Sequence, residues 1–187
     1  LDKLNKELSS KNNFGFSNAS SCPCHPGETA GLEQLRDFIN SKKITRYEFG
    51  RDHPSLDGTS KLSAAINCGT ISCRNVWEAI QISQTIGTNN TEMNSIQIWE
   101  KEIAWREFYQ YVLFHFPELA DGPYRKKWEL FPWENNINWF KCWVEGLTGV
   151  PIIDAAMRQL SQTGWMHNRC RMIVASFLVK DLICDWR

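Results

Sequence analysis

The chain has 187 residues, of which 42% are hydrophobic and 22% are charged, and its formal net charge is zero. This length is sufficient for one domain with its own core. The balance of charges argues against a protein that is coated with positive charge for nucleic-acid binding, but it is compatible with a local basic patch. Charged or amide side chains interrupt every apolar run within about a dozen residues, so we expect no membrane span.

The chain before the first predicted helix is rich in Asn, Ser, Lys and Pro, and we expect residues 1–27 to form a linker or surface loop. After this segment, apolar side chains recur at helical spacing. The helices predicted up to residue 116 are Thr29–Asn40, Lys61–Ile66, Cys73–Thr85 and Ser95–Phe116. The hydroxyl groups of Thr59 and Ser60 are expected to cap the second helix, and Pro117 should end the fourth.

The rest of the chain combines an irregular stretch with two further predicted helices. Residues 118–150 contain two prolines and four tryptophans without helical periodicity, and we expect them to be irregular. A helix should run over Pro151–Thr163, closed by Gly164. The last predicted helix extends over Asn168–Arg187. Because apolar and polar residues nowhere alternate with the period of two that strands require, the predicted fold is all-α.

The seven cysteines are an odd number without regular spacing, and no secretory signal precedes them. Reduced thiols in a cytoplasmic protein are therefore expected rather than a disulfide framework. Cys22, Cys24 and His25 are close enough in sequence to suggest part of a metal site. No second pair of ligands follows at the spacing of a zinc finger, so we expect no metal site.

One predicted helix carries a face of polar and aromatic side chains. Glu102, Trp105, Arg106 and Tyr109 are three or four residues apart, so they lie along one side of the helix. An aromatic ring beside an acid, a cation and a phenol can stack on a base and hydrogen-bond the polar edge of that base. A surface Glu–Arg pair beside core aromatics would produce the same spacing, and the spacing alone leaves both interpretations open.

A second group of polar residues lies where the last helix begins. Trp165, His167, Asn168, Arg169 and Arg171 crowd the loop and the first turn. The start of a helix favours anions through its free N–H groups and its dipole, and an asparagine adds an amide that can pair with a base edge. A capped helix with solvated arginines is the alternative interpretation.

The segment Thr59–Ser63 supplies hydroxyl groups and backbone donors at another helix start. Such a segment suits a phosphate or pyrophosphate, although many ordinary helix caps have the same composition. No Walker A motif or Rossmann glycine pattern is present, so nucleotide binding would have to use an all-helical site.

A series of longer motifs follows along the chain. They are Arg46–Asp52, Gly58–Ser63, Ala104–Tyr109 (AWREFY), Gly149–Leu160 (GVPIIDAAMRQL) and Thr163–Arg187 (TGWMHNRCRMIVASFLVKDLICDWR). In this order, over about residues 26–187, they resemble consecutive signatures of the photolyase/cryptochrome family. The resemblance implies a helical domain that binds FAD.

By this resemblance, a set of residues distributed along the chain would hold the FAD. They are Tyr47, Thr59, Ser60, Lys61, Leu62, Ser63, Trp99 and Arg171. Arg171 would lie beside the isoalloxazine ring, in a salt bridge whose acidic partner is not in this chain. Trp133 and Trp186 correspond to two members of the tryptophan chain through which the family reduces oxidised flavin in light. Without the resemblance, Trp186 would be interpreted as a core aromatic.

The resemblance also implies a pocket for a cyclobutane pyrimidine dimer that is flipped out of UV-damaged DNA. The residues implied to act on the dimer are Glu102, Trp105, Asn168 and Met172. Glu102 would hydrogen-bond the dimer and stabilise its radical anion, and Trp105 would pack against it. The residues implied to contact DNA are Arg51, Glu102, Trp105, Arg106, Tyr109, Asn168 and Arg169.

The implied function is light-driven repair of cyclobutane pyrimidine dimers by electron transfer from excited reduced FAD. Within the family, Trp105 and Met172 are most like those of a class I photolyase. A cryptochrome, which is a photoreceptor with the same cofactor and no repair activity, is one alternative. The other is an inactive helical DNA-binding module in which these residues are only core and caps.

The predicted domain organisation is that of a partial protein, because the chain begins at Leu1 and ends at Arg187 inside a predicted helix. We expect a linker remnant over 1–27 and part of a FAD- and DNA-binding domain over 28–187, in a monomeric protein. An antenna domain with a second chromophore, folate or deazaflavin, and the C-terminal part of the flavin domain would lie outside this chain. The chain alone is therefore expected to be inactive and to bind FAD weakly or not at all.

Overall fold

The computed structural model describes residues 23–187 and contains α-helices, 3₁₀ turns and one π turn, with no strand in that range. The all-α prediction is confirmed. Most of the predicted linker, including Cys22, lies outside the described residues, and Glu28 begins the first helix. None of the helices in the described part of the chain combines the length and apolarity that are required to cross a bilayer.

The described residues form a succession of helices of very different length. These are α1 (Glu28–Asn40), α2 (Tyr47–Gly50), α3 (Ser63–Asn67), α4 (Cys73–Ile86), α5 (Asn90–His115), α6 (Ile137–Glu145), α7 (Pro151–Thr163) and α8 (Asn168–Ser176). Helix α5 begins five residues before the predicted start, because the side chain of Asn89 accepts a hydrogen bond from Glu92 N at 3.0 Å and caps it there. Helix α3 has no side-chain cap, so the predicted capping by Thr59 and Ser60 is wrong.

Helix α6 lies within residues 118–150, which were predicted to be irregular. The prediction is wrong for this segment because local signals at both ends define a helix. The side chain of Asn136 accepts hydrogen bonds from the backbone of Asn138 and Trp139, at 3.0 and 3.2 Å. At the other end, Gly146 adopts the left-handed conformation with φ of 66° and terminates the helix.

The chain leaves the helical path soon after α8, and the prediction of one helix as far as Arg187 is wrong. A π turn, Phe177–Asp181, follows α8 directly. The backbone N–H of Cys184 then donates to the carbonyl of Leu178 at 3.1 Å, and Ile183 has a φ of 48°. These local bonds replace the next helical turn.

The helices pack around two apolar clusters. The first cluster consists of Leu35, Phe38, Ile44, Tyr47, Leu62, Ile66, Ile71, Val76, Ile80, Ile96 and Trp99. The second consists of Ile153, Ala156, Met157, Met166, Cys170 and Val174. The first cluster contains side chains from each of the helices α1, α2, α3, α4 and α5, and the second contains side chains from α7 and α8. The two groups of helices therefore have separate cores. The side chains that connect these groups therefore lie at the junction between them.

A buried carboxylate fixes α7 onto the end of α6. Asp154 accepts hydrogen bonds from the hydroxyl of Thr148 at 2.7 Å and from the backbone N–H groups of Thr148 and Gly149 at 2.8 and 3.0 Å. These bonds, with that from the Thr148 hydroxyl as the largest contribution, lower the pKa of Asp154. Arg158 on α7 also donates to the carbonyl of Gly146 at 2.7 Å. This junction sets the direction of α7 and hence of α8, which packs against it.

Candidate functional site

The predicted lesion-binding acid is paired with an arginine from a different helix. Glu102 on α5 lies 2.6 Å from Nη1 of Arg51, the residue that follows α2, and both side chains are about three-quarters buried, with 27% and 26% exposed. The pairing of Glu102 with Arg106, which was the alternative interpretation of their spacing, is not formed. Instead, Arg106 donates to Cys73 Sγ at 3.4 Å and ties α5 to the start of α4. The structure thus brings together two residues that are 51 positions apart and were predicted only separately.

Tyr47 lies directly behind this ion pair. The Arg51 guanidinium is 5.7 Å from the centroid of the Tyr47 ring, and the ring itself is buried against Phe38. Burial, and after it the negative charge of Glu102, raises the pKa of Tyr47 to about 12. Tyr47 is therefore a neutral phenol over the whole physiological range and can act there only as a neutral hydrogen-bonding group.

A second ion pair connects the two groups of helices. Arg169 in the first turn of α8 donates to the carboxylate of Asp52, and Asp52 also lies 4.0 Å from Nε of Arg51. The hydrogen bond from Arg169 is the main cause that lowers the pKa of Asp52. Asp52 was not among the predicted site residues. Its position directly after Arg51 in the same motif was the only sequence signal that could have identified it.

The aromatic residues of α5 lie one turn beyond Glu102, and their rings face solvent. Trp105 is 52% exposed and stacks on Tyr109 at a centroid distance of 5.9 Å with an interplanar angle of 26°. Phe108 meets the edge of the same indole at 5.6 Å. Of the face inferred from the spacing of Glu102, Trp105, Arg106 and Tyr109, the Trp105–Tyr109 stack is present, one helical turn from the Glu102 carboxylate. Arg106 is instead engaged with Cys73 and Glu107.

The start of α8 places polar groups at its rim. Asn168 and Met172 are exposed, Arg169 Nη1 lies 3.7 Å from Met172 Sδ, and Arg171 Nε donates to the carbonyl of Met166 at 3.2 Å. The rim therefore combines an amide, a thioether and two guanidinium groups. Of the predicted residues here, Arg169 is the one that the structure connects to the Glu102 side through Asp52.

His167 has a structural role at this helix start. Its Nδ1 accepts a hydrogen bond from Arg169 N at 3.1 Å and so caps α8. Burial is the largest cause that lowers the pKa of His167, which is consistent with a neutral ring that accepts at Nδ1. Its Nε2 is buried without a hydrogen-bond partner in the described part of the chain.

The segment predicted to bind phosphates is held in place from several sides. Lys61 has a φ of 54°, its Nζ lies 2.8 Å from Asp57, and it lies 5.4 Å from the centroid of the Trp165 ring. The carbonyl of Ser60 accepts a hydrogen bond from Gln34 of α1 at 2.9 Å. The hydroxyl-bearing residues of the segment are at least partly exposed, whereas Leu62 is buried in the first core. The segment therefore offers polar groups on one side and an apolar anchor on the other.

Trp99 lies inside the first core and not at an open surface. It is 3% exposed and packs on Phe38 at a centroid distance of 5.0 Å. In this structure its evident effect is to fix α5, the helix that carries Glu102, onto α1.

The two tryptophans predicted to relay electrons lie on neighbouring segments. The backbone N–H of Glu134 donates to the carbonyl of Ile183 at 2.9 Å, and Asp185 N donates to the Asn135 side chain at 2.8 Å. These bonds place Trp133 and Trp186, each adjacent to one of the paired residues, on the same part of the molecule. Trp133 packs on Phe131 at 4.6 Å, and Trp186 is about half exposed.

Comparison with known proteins identifies the helical region that contains this site. Residues 99–187 match the family described as the FAD binding domain of DNA photolyase. This region is a photolyase-type FAD-binding domain. The match begins at Trp99 and includes Glu102 and Arg169, whereas their partners Arg51 and Asp52 precede the matched residues.

Relatives of the photolyase family resemble nearly the whole chain. It is 50% identical over 184 residues to a deoxyribodipyrimidine photo-lyase of Synechococcus, covering 98% of this chain and 38% of the relative. It is 48% identical over 163 residues to a protein of the same name from Agrobacterium fabrum, covering 87% of this chain and 33% of that relative. The chain thus spans about a third of the length of the curated photolyases that it matches.

Solved photolyase and cryptochrome structures have the same fold. A class III photolyase from Agrobacterium tumefaciens superposes with a TM-score of 0.80 at 46% identity, covering 86% of this chain and 32% of that structure. A cryptochrome from Synechocystis superposes with a TM-score of 0.81 at 33% identity, covering 92% of this chain and 35% of that structure. The fold prediction is thereby confirmed, and the photolyase fold is one that repair enzymes and a cryptochrome share.

Proposed function

We propose that this chain is part of a light-driven DNA-repair flavoprotein that splits cyclobutane pyrimidine dimers. One observation carries the proposal: Glu102 lies one helical turn from the exposed Trp105 ring, and contacts through Arg51 and Asp52 connect it to Arg169. A carboxylate, an aromatic surface and two cations in one region suit a flipped-out pyrimidine dimer that is still attached to its phosphates.

The cofactor in this proposal is FAD, and the residues of the chain fit such a group. The segment Thr59–Ser63 presents partly exposed hydroxyl groups and the Lys61 cation, which suits a pyrophosphate. Its buried Leu62, and Trp99 in the same core, would support the cofactor from behind rather than touch it over a large area. Arg171 would lie beside the flavin ring, and Tyr47 would serve as a neutral donor or acceptor.

When bound and excited in its reduced form, FAD supplies the electron that splits the dimer, and the chain's own residues prepare the substrate for this step. Glu102 would hydrogen-bond the polar edge of the dimer, and Trp105 would cover its face and exclude water. Asn168 and Met172 would border the dimer from α8. Arg51, Arg106, Tyr109 and Arg169 are the candidates for contacts with the DNA backbone.

Trp133 and Trp186 would form part of a relay that delivers electrons to oxidised flavin. The hydrogen bonds between the 134–135 and 183–185 segments support this assignment, because they hold the two tryptophan-bearing segments side by side. The relay requires a further aromatic nearer the flavin, which we propose lies in a part of the domain outside this chain.

The broader organisation is also a proposal. Residues 28–187 would be part of the FAD- and DNA-binding domain of a monomeric, cytoplasmic protein that resembles class I enzymes, with an antenna domain that carries folate or deazaflavin. A cryptochrome-type photoreceptor is the second candidate, and the similarity to the Synechocystis cryptochrome is the observation that favours it. The pairing of an oriented carboxylate with an exposed indole favours repair, since a photoreceptor without a DNA substrate has no need for either.

The test uses the complete gene product, purified and reduced, with a duplex that contains one thymine dimer. Blue light should remove dimers, and Glu102→Ala should reduce the rate about tenfold, because one hydrogen bond to the reacting group is worth about 1.4 kcal/mol. Binding of the damaged duplex should change much less. Glu78→Ala is the matched control, since Glu78 is an exposed acid on α4 for which the structure shows no ion pair within the described residues. A wild-type protein that binds flavin but removes no dimers in light would refute the repair function and leave the photoreceptor.

A further inference from the structure

Arg51 and Arg169, two of the three arginines proposed to contact the DNA backbone, are both engaged with carboxylates on other elements of the chain. Arg51 pairs with Glu102, and Arg169 pairs with Asp52, which also lies near Arg51. Two guanidinium groups therefore face two carboxylates, and this part of the surface carries no net positive charge. A DNA phosphate that approaches either arginine has to compete with a group that is already there.

The two ion pairs differ in how easily a phosphate can reach them. The Arg51–Glu102 pair is about three-quarters buried, whereas the Asp52 side chain is 50% exposed and that of Arg169 is 35% exposed. Ion pairs this accessible contribute little to stability, so a competing anion can replace the carboxylate at small cost. Asp52 also lines an open depression of about 580 Å³ together with Arg46, Glu48 and His53. A phosphate can thus reach the Asp52 side of the pair from solvent.

The Asp52–Arg169 pair also holds a long side chain in position across the molecule. The partners are 117 residues apart, and they belong to the two groups of helices that have separate cores. An arginine that is already oriented loses less conformational freedom when it binds an anion. Its guanidinium can then donate two parallel hydrogen bonds to a phosphate. The contact with Asp52 uses only one of the arginine's nitrogen atoms, so a phosphate can form more bonds than the carboxylate does.

We infer that Asp52 is an internal counterion of Arg169 and Arg51, and that a phosphate of bound DNA replaces it. The inference rests on the proposed DNA-binding function and adds a residue and a mechanism to it. In the free protein Asp52 positions Arg169. On binding, Arg169 exchanges the carboxylate for a DNA phosphate while Arg51 keeps its contact with Glu102.

Such an exchange has a consequence for salt dependence. DNA affinity falls with salt because each newly neutralised phosphate releases counterions, at a slope of about 0.9 in log affinity per phosphate contact. When a phosphate displaces Asp52 from Arg169, the freed carboxylate attracts a cation from solution, which offsets the cation that the phosphate releases. If the carboxylate is removed, nothing offsets this release, so the affinity should become more salt-dependent.

The experiment measures fluorescence anisotropy of a labelled duplex, with and without one thymine dimer, at several NaCl concentrations, using the complete flavin-loaded gene product. Asp52→Asn should tighten binding to both duplexes about three- to tenfold at low salt and steepen the salt slope by up to about one. Asp37→Asn is the matched control: it makes the same change of charge on α1, where the structure shows no ion pair for Asp37 within the described residues.

Three results would overturn the inference. Weaker binding of Asp52→Asn at an unchanged salt slope would mean that Asp52 only positions Arg169. An unchanged affinity would mean that Asp52 neither positions Arg169 nor competes with the phosphate. An equal change in Asp37→Asn would mean that the effect reflects total charge alone. If Asp52→Asn does not fold, Arg169→Gln provides the same test, since it should weaken binding with little change in slope. A wild-type protein that does not prefer the damaged duplex would count against the proposed function. It would leave the test of Asp52 intact, because the salt comparison can still be made on undamaged DNA.

Discussion

Tyr47 shows how a single buried group links the first core to the proposed site. Its ring packs in the first cluster, and its environment includes both partners of the Arg51–Glu102 pair. Burial and the Glu102 carboxylate disfavour the phenolate, whereas Arg51 favours it, and the balance raises the pKa of Tyr47 to about 12. The folded protein therefore binds the phenolic proton more tightly than the unfolded chain.

This difference predicts how stability depends on pH. Because the folded-state pKa of Tyr47 is raised, its contribution is fully present below the unfolded value of 10.0 and is lost as the pH rises toward about 12. Tyr47→Phe removes this loss. Between about pH 9 and pH 11, the free energy of unfolding of the variant should therefore gain about 1 kcal/mol relative to wild type. Urea denaturation at a series of pH values measures this, and a constant difference between the two proteins would contradict the raised pKa.

At the scale of helices, two glycines terminate consecutive elements in the same left-handed conformation. Gly146 ends α6 with φ of 66°, and Gly164 ends α7 with φ of 70°. Their surroundings differ. A Cβ on Gly146 would lie 2.8 Å from the carbonyl oxygen of Asp154 and 3.0 Å from Arg158, whereas a Cβ on Gly164 would meet nothing within 4 Å.

Alanine at Gly164 therefore introduces backbone strain alone, whereas alanine at Gly146 introduces the same strain together with a steric conflict. Gly164→Ala should cost about 1 kcal/mol, which is the usual penalty of the left-handed conformation for a residue with a Cβ. Gly146→Ala should cost at least about twice as much, because it also pushes α6 away from the α7 start that Asp154 and Arg158 hold. Chemical denaturation of both variants measures the free energy of unfolding. Equal losses in the two variants would show that the α6–α7 junction can move to accommodate a Cβ at position 146 at no cost.

At the scale of the whole molecule, the described chain exposes many large apolar side chains. They are concentrated in the second half of α5, in α6 and in the segment between these helices, with Phe114 80% and Leu130 93% exposed. The two cores, in contrast, are fully enclosed. Exposed apolar surface of this extent is unusual for a soluble monomer.

The 187-residue chain on its own should therefore bind the hydrophobic dye ANS. The double variant Phe114→Gln/Leu130→Gln should bind less dye and change the free energy of unfolding by under about 0.5 kcal/mol, because both side chains already face solvent. Ile80→Ala, at a fully buried position, should instead cost about 3 kcal/mol. A chain that binds no ANS, or a double variant as unstable as Ile80→Ala, would show that this surface is covered in solution.

Features that depend on neighbouring residues could be predicted from the sequence. The helix periodicity, Pro151 and Gly164 defined α7, and the spacing of Glu102, Trp105 and Tyr109 defined their common face, because 3.6 residues per turn relates spacing directly to direction. Where the local signals were polar, as at Asn89 and Asn136, the same reasoning missed a helix start or a whole helix. The motif order identified the photolyase/cryptochrome family before any geometry was known.

Long-range pairing was the part that depended on the tertiary structure. Glu102 had an arginine at helical spacing, yet it pairs with Arg51, because the packing of α2 on α5 brings that guanidinium within 2.6 Å. The contact between Asp52 and Arg169 spans 117 residues, and no local pattern encodes it. Spacing along a helix determines which side chains share a face. Which charges neutralise one another is determined by how the helices pack, and packing depends on the whole chain at once.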